Sequence, residues 1–310
     1  MCKLSTLGLS IVVPIFRPNV EFLGKLFNSL DGLDSLVDLE LILSISDSET
    51  AVPDDLPSGC RIVVDRSLGA GIGTNWNLGL RNATRDYLLM LGQDDIILDH
   101  CALFDGLQRL NQDRGAIALG SGRRVLVKEI VNQQRDSRQR YWSRRKNRCV
   151  AMRRDEMERN FLCYGNVFGE PSAVLLRRNT LVEVGRFSEK LEHVLDVECW
   201  LRIVQRGDFL YMPELVWLGR RLHPESATSR NLRSGVAARE EMELISAFAR
   251  SSWKRSLLIN GGLLAFYIHA LRSKQIVTLR LPSRSMLVGL LGMPYLLARR
   301  TTLGPFGRSA

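Results

Sequence analysis

The chain has 310 residues and a mass of 35.0 kDa, enough for one large domain or two small ones. Its 45% hydrophobic and 25% charged residues are the ordinary globular balance, which excludes disorder or a collagen-like repeat as the main state. The net charge of +10 is unevenly placed: residues 244–310 hold ten basic side chains and no acidic one, so the first 243 residues balance at 33 of each sign. Uniform basicity would point to nucleic acid. Basicity confined to an apolar tail points instead to an anionic membrane surface, and nucleic acid is not expected as a partner. Six cysteines without CxxC spacing and four histidines without an HxxxH pair supply neither a disulfide framework nor a histidine-rich zinc site; a reducing cytoplasm fits them best.

The apolar run Leu7–Phe16 follows Lys3 and has the look of a signal-peptide core. It lacks a small-x-small cleavage site, and Pro14, Arg17 and Asn19 break it, so it reads as a buried first strand. Leu23, Leu26, Phe27 and Leu30 then recur at helical spacing. Further strands are predicted at Leu39–Ser46, Arg61–Asp65, Tyr87–Leu91 and Ala116–Gly120, with helices at Gly69–Ala83 and Asp99–Leu110 between them. Strands alternating with helices over 120 residues imply an α/β domain with a mostly parallel sheet covered on both faces. Ligands of such sheets sit at the carboxyl ends of the strands.

The pattern breaks in a basic insert at about 122–165. Within it, Arg135–Arg159 holds ten basic and four acidic residues with little periodicity and reads as a long loop or irregular helix, either a solvated surface or a flap over an anionic substrate. Order resumes with a strand at Ser172–Arg177, a short helix at Asn179–Gly185 stopped by its glycine, a helix at Leu195–Gln205, and a final strand pair beginning at Gly207–Tyr211. After Arg239 the chain turns helical. Leu257–Leu271 and Met286–Ala298 are 15 and 13 residues of mainly apolar character, short of the ~20 needed to span a bilayer. Their basic flanks suit helices lying in a membrane interface; a buried helical subdomain is the alternative. The expected division is a domain at 1–235 and a basic helical extension at 236–310.

The chemistry concentrates at strand ends. Asp94 and Asp95 are delivered by four apolar residues to the end of a strand, and two adjacent carboxylates there make sense if a divalent cation neutralises them. Hard oxygen ligands suit Mg²⁺ or Mn²⁺, and such ions bind diphosphates. Asp196 and Glu198 open a helix; they either complement its dipole or include a general base for an acceptor hydroxyl. His223 follows the last strand and gains a role only if the fold brings it to the metal. Asp47, ending the second strand, can accept hydrogen bonds from a base or ribose, and Asn77 could do similar work through its amide.

In order and spacing, these residues resemble the inverting family 2 glycosyltransferases, which have a GT-A-type nucleotide-sugar-binding fold. The resemblance runs from about Leu9 to Arg230. It includes Ser-Ile-Val-Val-Pro-Ile-Phe (10–16), Ser46-Asp47-Ser48, Asn75-Trp-Asn77-Leu-Gly79, Leu91-Gly-Gln-Asp-Asp95, Glu170–Arg178, Val184–Phe187, Leu195–Arg202 and His223–Ser226. It implies a donor site using Pro14, Asp47, Asn77, Asp94 and Asp95. Asp94 and Asp95 would match the Asp-x-Asp region that holds the metal and the donor diphosphate, His223 would be a looser third metal contact, and Asp196 would match the catalytic base. The chain departs from the pattern at Gly92, where the first acid of Asp-x-Asp is expected, and at Leu195, where the family often has Glu.

The implied activity is that of an inverting, hexosyltransferase-like enzyme moving sugar from a nucleoside-diphosphate sugar to a saccharide or lipid-linked acceptor, as in cell-surface polysaccharide or glycolipid synthesis. The implied place is the inner face of the cell membrane, with the C-terminal extension as the peripheral contact. Two rivals remain at this point. One is a non-catalytic nucleotide-sugar-binding protein of the same fold. The other is a dinucleotide-dependent oxidoreductase, suggested by Gly69-Ala-Gly-Ile-Gly73, although the third glycine of GxGxxG falls on Thr74 or Trp76.

Overall fold

The computed structural model describes residues 7–54, 56–121, 123–127, 130–132, 150–152, 166 and 168–247. Its centre is an eight-stranded sheet built from β1 (Gly8–Pro14), β2 (Asp38–Ile45), β3 (Arg61–Val64), β4 (Tyr87–Met90), β6 (Ala116–Ser121), β9 (Val150–Met152), β10 (Val174–Arg177) and β11 (Asp208–Met212), in the order β3-β2-β1-β4-β10-β6-β11-β9. Six strands run in one direction; β10 is antiparallel to both its neighbours and β9 to β11. The expected mixed, mostly parallel α/β sheet is present.

The central strands β1, β4, β6 and β10 are mostly apolar and buried because both faces of the sheet are covered there, whereas the outer strand β3 is partly exposed. In β1, Leu9, Ile11 and Val13 join one core and Val12 the other, the two-residue alternation of a strand. The first core is completed by α1 (Val20–Asn28) through Leu23, Leu26 and Phe27, and by α3 (His100–Gln112) through Leu103 and Leu107. The second is completed by α2 (Ile72–Asn82), α4 (Arg178–Glu183) and α5 (Leu195–Ile203), with Trp200 fully buried. Helix starts follow local chemistry: Asn19 caps α1 by accepting from the Phe22 amide at 3.1 Å, and Asp99 caps α3 by accepting from Ala102 at 2.9 Å. Gly185, at φ 88°, ends the α4 segment as expected.

A second, four-stranded sheet has the order β5-β12-β7-β8, with β5 (Ile96–Ile97), β7 (Arg123–Val127), β8 (Ile130–Asn132) and β12 (Leu218–Arg221). It corrects two expectations. The last two strands are not a pair, since β11 belongs to the large sheet and β12 to the small one. The basic insert, expected to be irregular, contributes β7, β8 and β9 among its described residues. Two further helices follow, α6 (Ala227–Ser234) and α7 (Val236–Ala247), separated by Gly235 at φ 78°. The 257–271 and 286–298 segments lie outside the described residues; among those described, no helix is long and apolar enough to cross a membrane.

Candidate active site

The carboxyl ends of β1 and β4, the start of α5 and the segment after β12 open onto one cavity. Pro14, Gly92, Asp94, Asp95, Ser172, Asp196, Arg220 and Arg221 all line it. Asp94 and Asp95 sit in a tight turn closed by the Asp95 amide donating to the Gly92 carbonyl at 3.0 Å. The two neighbours then part. Asp94 Oδ2 is 2.7 Å from His223 Nε2 at the cleft. Asp95 turns inward, accepting from Ser172 Oγ at 2.7 Å and from the Arg221 amide at 3.3 Å, with 6% of its surface exposed. Burial and the adjacent Asp94 charge raise the Asp95 pKa.

The missing first acid has a steric reason. A Cβ on Gly92 would stand 2.9 Å from Asp95 Oδ2 and 3.1 Å from Asp94 Oδ1. A side chain at this position would have to displace one or both of these carboxylates. Gln93 holds the turn from the other side: its amide donates to the Phe16 carbonyl at 2.9 Å and accepts from the Phe16 amide at 2.8 Å.

Asp196 is nearly buried on the first turn of α5. Its Oδ1 accepts from the Val197 amide at 2.7 Å and its Oδ2 from Asn166 Nδ2 at 2.9 Å. Burial raises its pKa to about 6, against the opposing pull of these hydrogen bonds and of His193. Glu198 is spent elsewhere, in a two-pronged contact with Arg202 at 2.6 and 2.8 Å. Of the two acids, only Asp196 lines the cavity.

Three expected site residues sit differently. Asn77 does not face the cavity: its amide donates to the Phe187 carbonyl and Glu189 Oε1 at 2.9 and 3.0 Å, and accepts from the Phe187 amide at 3.1 Å. It staples α2 to the loop after α4 and does not line the cavity. Asp47 is 4% exposed and absent from the cavity lining; Oδ1 accepts from the amides of Glu49 and Thr50 at 2.9 and 2.8 Å, folding its own turn. Burial pushes its pKa up, but the hydrogen bonds from Thr50 and Glu49 outweigh that and leave it lowered, so the carboxylate is charged. Its Oδ2 is buried without a hydrogen-bond partner, an acceptor still to be satisfied. Asp95 faces inward, so of the expected acid pair only Asp94 stands beside His223.

The donor set fits a divalent cation. Asp94 and His223 are neighbouring oxygen and nitrogen ligands, and Mg²⁺ or Mn²⁺ is commonly held by one or two protein ligands plus substrate phosphates. Among the described residues no group of three or more His, Cys, Asp or Glu side chains forms an all-protein metal cage, so diphosphate oxygens would have to complete the shell. His223 is braced by Phe22, edge-on at a 5.4 Å centroid separation, and the same ring lies 4.2 Å below the Arg221 guanidinium.

Asn166, Ser172, Arg220 and Arg221 were not among the expected site residues. Asn166 lies just past the insert, where no periodicity frames it. The strand-end position of Arg220-Arg221 was a usable signal. The glycines 69–73 do not build a phosphate loop for a dinucleotide: a Cβ on Gly73 would stand 2.2 Å from the Ser188 carbonyl, so that glycine lets α2 pack against the chain.

The profile of Glycosyl transferase family 2 matches residues 10–185. Among solved structures, residues 1–349 of S. aureus TarS in complex with UDP-GlcNAc superpose with a TM-score of 0.59 at 13% identity, over 94% of this chain and 81% of that one. The mannosyltransferase PcManGT from Pyrobaculum calidifontis, in complex with GDP-Man and Mn²⁺, gives 0.53 at 13% identity over 95% and 81%. No curated protein sequence matches. A profile match over more than half the chain, on a fold shared with these glycosyltransferases, excludes the oxidoreductase reading: the chain belongs to glycosyl transferase family 2.

Proposed function

We propose that the protein transfers a hexose from a nucleoside-diphosphate sugar to an acceptor hydroxyl with inversion at the anomeric carbon. The observation that carries this is the presence in one cavity lining of Asp94, whose carboxylate meets His223 just outside that lining, and of Asp196, a buried carboxylate of raised pKa. Asp94 and His223 would hold Mn²⁺ or Mg²⁺ together with the donor diphosphate. When bound, the cation offsets the negative charge that grows on the leaving group.

The chain's own residues do the rest. Asp196 accepts the proton of the acceptor hydroxyl. Its two oxygens are held by Asn166 and the Val197 amide, so the carboxylate meets the acceptor without reorganising. The oxygen then attacks from the face opposite the nucleotide in one displacement. Arg220 and Arg221 add positive charge beside Asp94 and Asp95. Asp47, outside the cavity lining and held in its own turn, would reach the base or ribose only if that turn rearranged on donor binding.

The acceptor we propose is a lipid-linked or cell-envelope saccharide. The basic residues after 244 would rest on the inner face of the cell membrane, where such acceptors lie. UDP and GDP should each be screened for thermal stabilisation with and without Mn²⁺ or Mg²⁺. A diphosphate at 100 times its Kd should stabilise the chain by about 2.7 kcal/mol, and only with the cation present. No shift with either nucleotide would defeat the donor assignment, and full stabilisation in excess chelator would defeat the metal assignment alone.

A further inference from the structure

We infer that Glu240, in the last described helix, is a positioning residue for the catalytic base, an inference that rests on the assignment of Asp196 to that role. Helix α5 has no side-chain cap from its own N-cap residue, although Asp196 accepts from the Val197 amide within the first turn. Its N-cap residue is Val194, which has no side-chain acceptor, and the amides just before the helix lack intrahelical partners. Glu240 supplies the acceptor from 46 to 48 residues away. Its Oε1 lies 2.9 Å from the Glu192 amide, and its Oε2 lies 3.1 Å from that amide, 2.7 Å from His193 and 3.2 Å from Val194.

Three consecutive N–H groups thus wrap one carboxylate at the positive end of a helix, where charge-assisted hydrogen bonds are strong. Glu240 is 4% exposed, so water cannot readily replace it. A second clamp acts on the same segment: Asn231 Nδ2 donates to the Glu192 carbonyl at 2.8 Å. Both clamps come from the α6–α7 pair, while Glu192 and His193 line the cavity beside Asp196. The carboxylate that receives the proton is therefore two residues beyond a turn whose geometry is set by α7. That helix is also the chain's route into residues 248–310, so the base and the basic extension share one mechanical link.

The test uses the full chain and the nucleotide sugar, UDP-GlcNAc or GDP-mannose, that it hydrolyses faster. Glu240→Gln keeps the shape but places an NH₂ among three donors; Glu240→Ala removes the acceptor. Amide exchange at residues 192–194 should accelerate at least tenfold in Glu240→Gln and further in Glu240→Ala. The kcat should fall about tenfold and up to about 10²-fold respectively, with the donor KM held within twofold. Should the alanine variant fail to fold, the glutamine variant is scored alone. Faster exchange with an unchanged kcat would overturn the inference, as would unchanged exchange, or a loss of turnover that enters only through KM. Asp196→Asn, assayed in parallel, separates the two readings: turnover in that variant defeats the base assignment, whereas an inactive Asp196→Asn beside fully active Glu240 variants defeats the positioning role alone.

Discussion

A buried carboxylate gains basicity, as the base proposed at Asp196 requires, and it carries a stability cost. Its folded pKa of about 6 lies above the ordinary 3.8. The neutral form is thus favoured by folding; that stabilisation is complete below 3.8 and is lost as pH rises through about 6. Asp196→Asn should therefore be more stable than the wild type at neutral pH, by on the order of 1 kcal/mol after the loss of one acceptor is counted, while transfer falls by at least about 10²-fold. The wild-type chain should close this stability gap as pH is lowered toward 4, which calorimetry of the pair at several pH values would check. Transfer should decline on acidification through about pH 6, as the base is protonated. Gly92→Ala tests the neighbouring acids. Its Cβ would press on both carboxylates, and metal-dependent binding of UDP or GDP, read by titration calorimetry, should weaken at least about tenfold.

At the scale of elements, the parallel strands and their covering helices were legible because most of the strands carry runs of buried apolar residues. The short strands were not: β5 has two residues and β8 and β9 three each, too few to show a period. The acid pair at the end of β4 was legible from its position alone, but its inward and outward halves were not, since Ser172 and His223 arrive from distant parts of the chain. The partners of Asn77 were hidden for the same reason. A polar side chain on an amphipathic helix does not announce a partner 110 residues away. Asn77→Ala should cost about 2–4 kcal/mol in urea unfolding by orphaning the Phe187 amide, and should leave the Kd for UDP or GDP within twofold of wild type.

For the whole molecule, charge asymmetry was readable from the sequence and carries a prediction of its own. The 243 leading residues are neutral, so association with a membrane would come from the ten cationic side chains that follow. The full chain should cosediment with vesicles containing phosphatidylserine and not with pure phosphatidylcholine, and half-molar salt, at a Debye length of about 4 Å, should release most of it. Equal binding to both vesicles at any salt would show that charge does not drive it.

The pairing of β5 with β12 has a further consequence. Ile96 sits opposite Gly219 and Ile97 opposite Leu218, so the ladder that begins directly after Asp95 also fixes where the chain leaves for His223. Carboxylate and imidazole are thus indexed by a two-rung ribbon. Inserting one amino acid between Asp95 and Ile96, or between Leu218 and His223, would slip that index by one pleat and send one of the two groups to the opposite side. Changes of chain length compatible with this cleft are therefore confined to segments outside the ribbon.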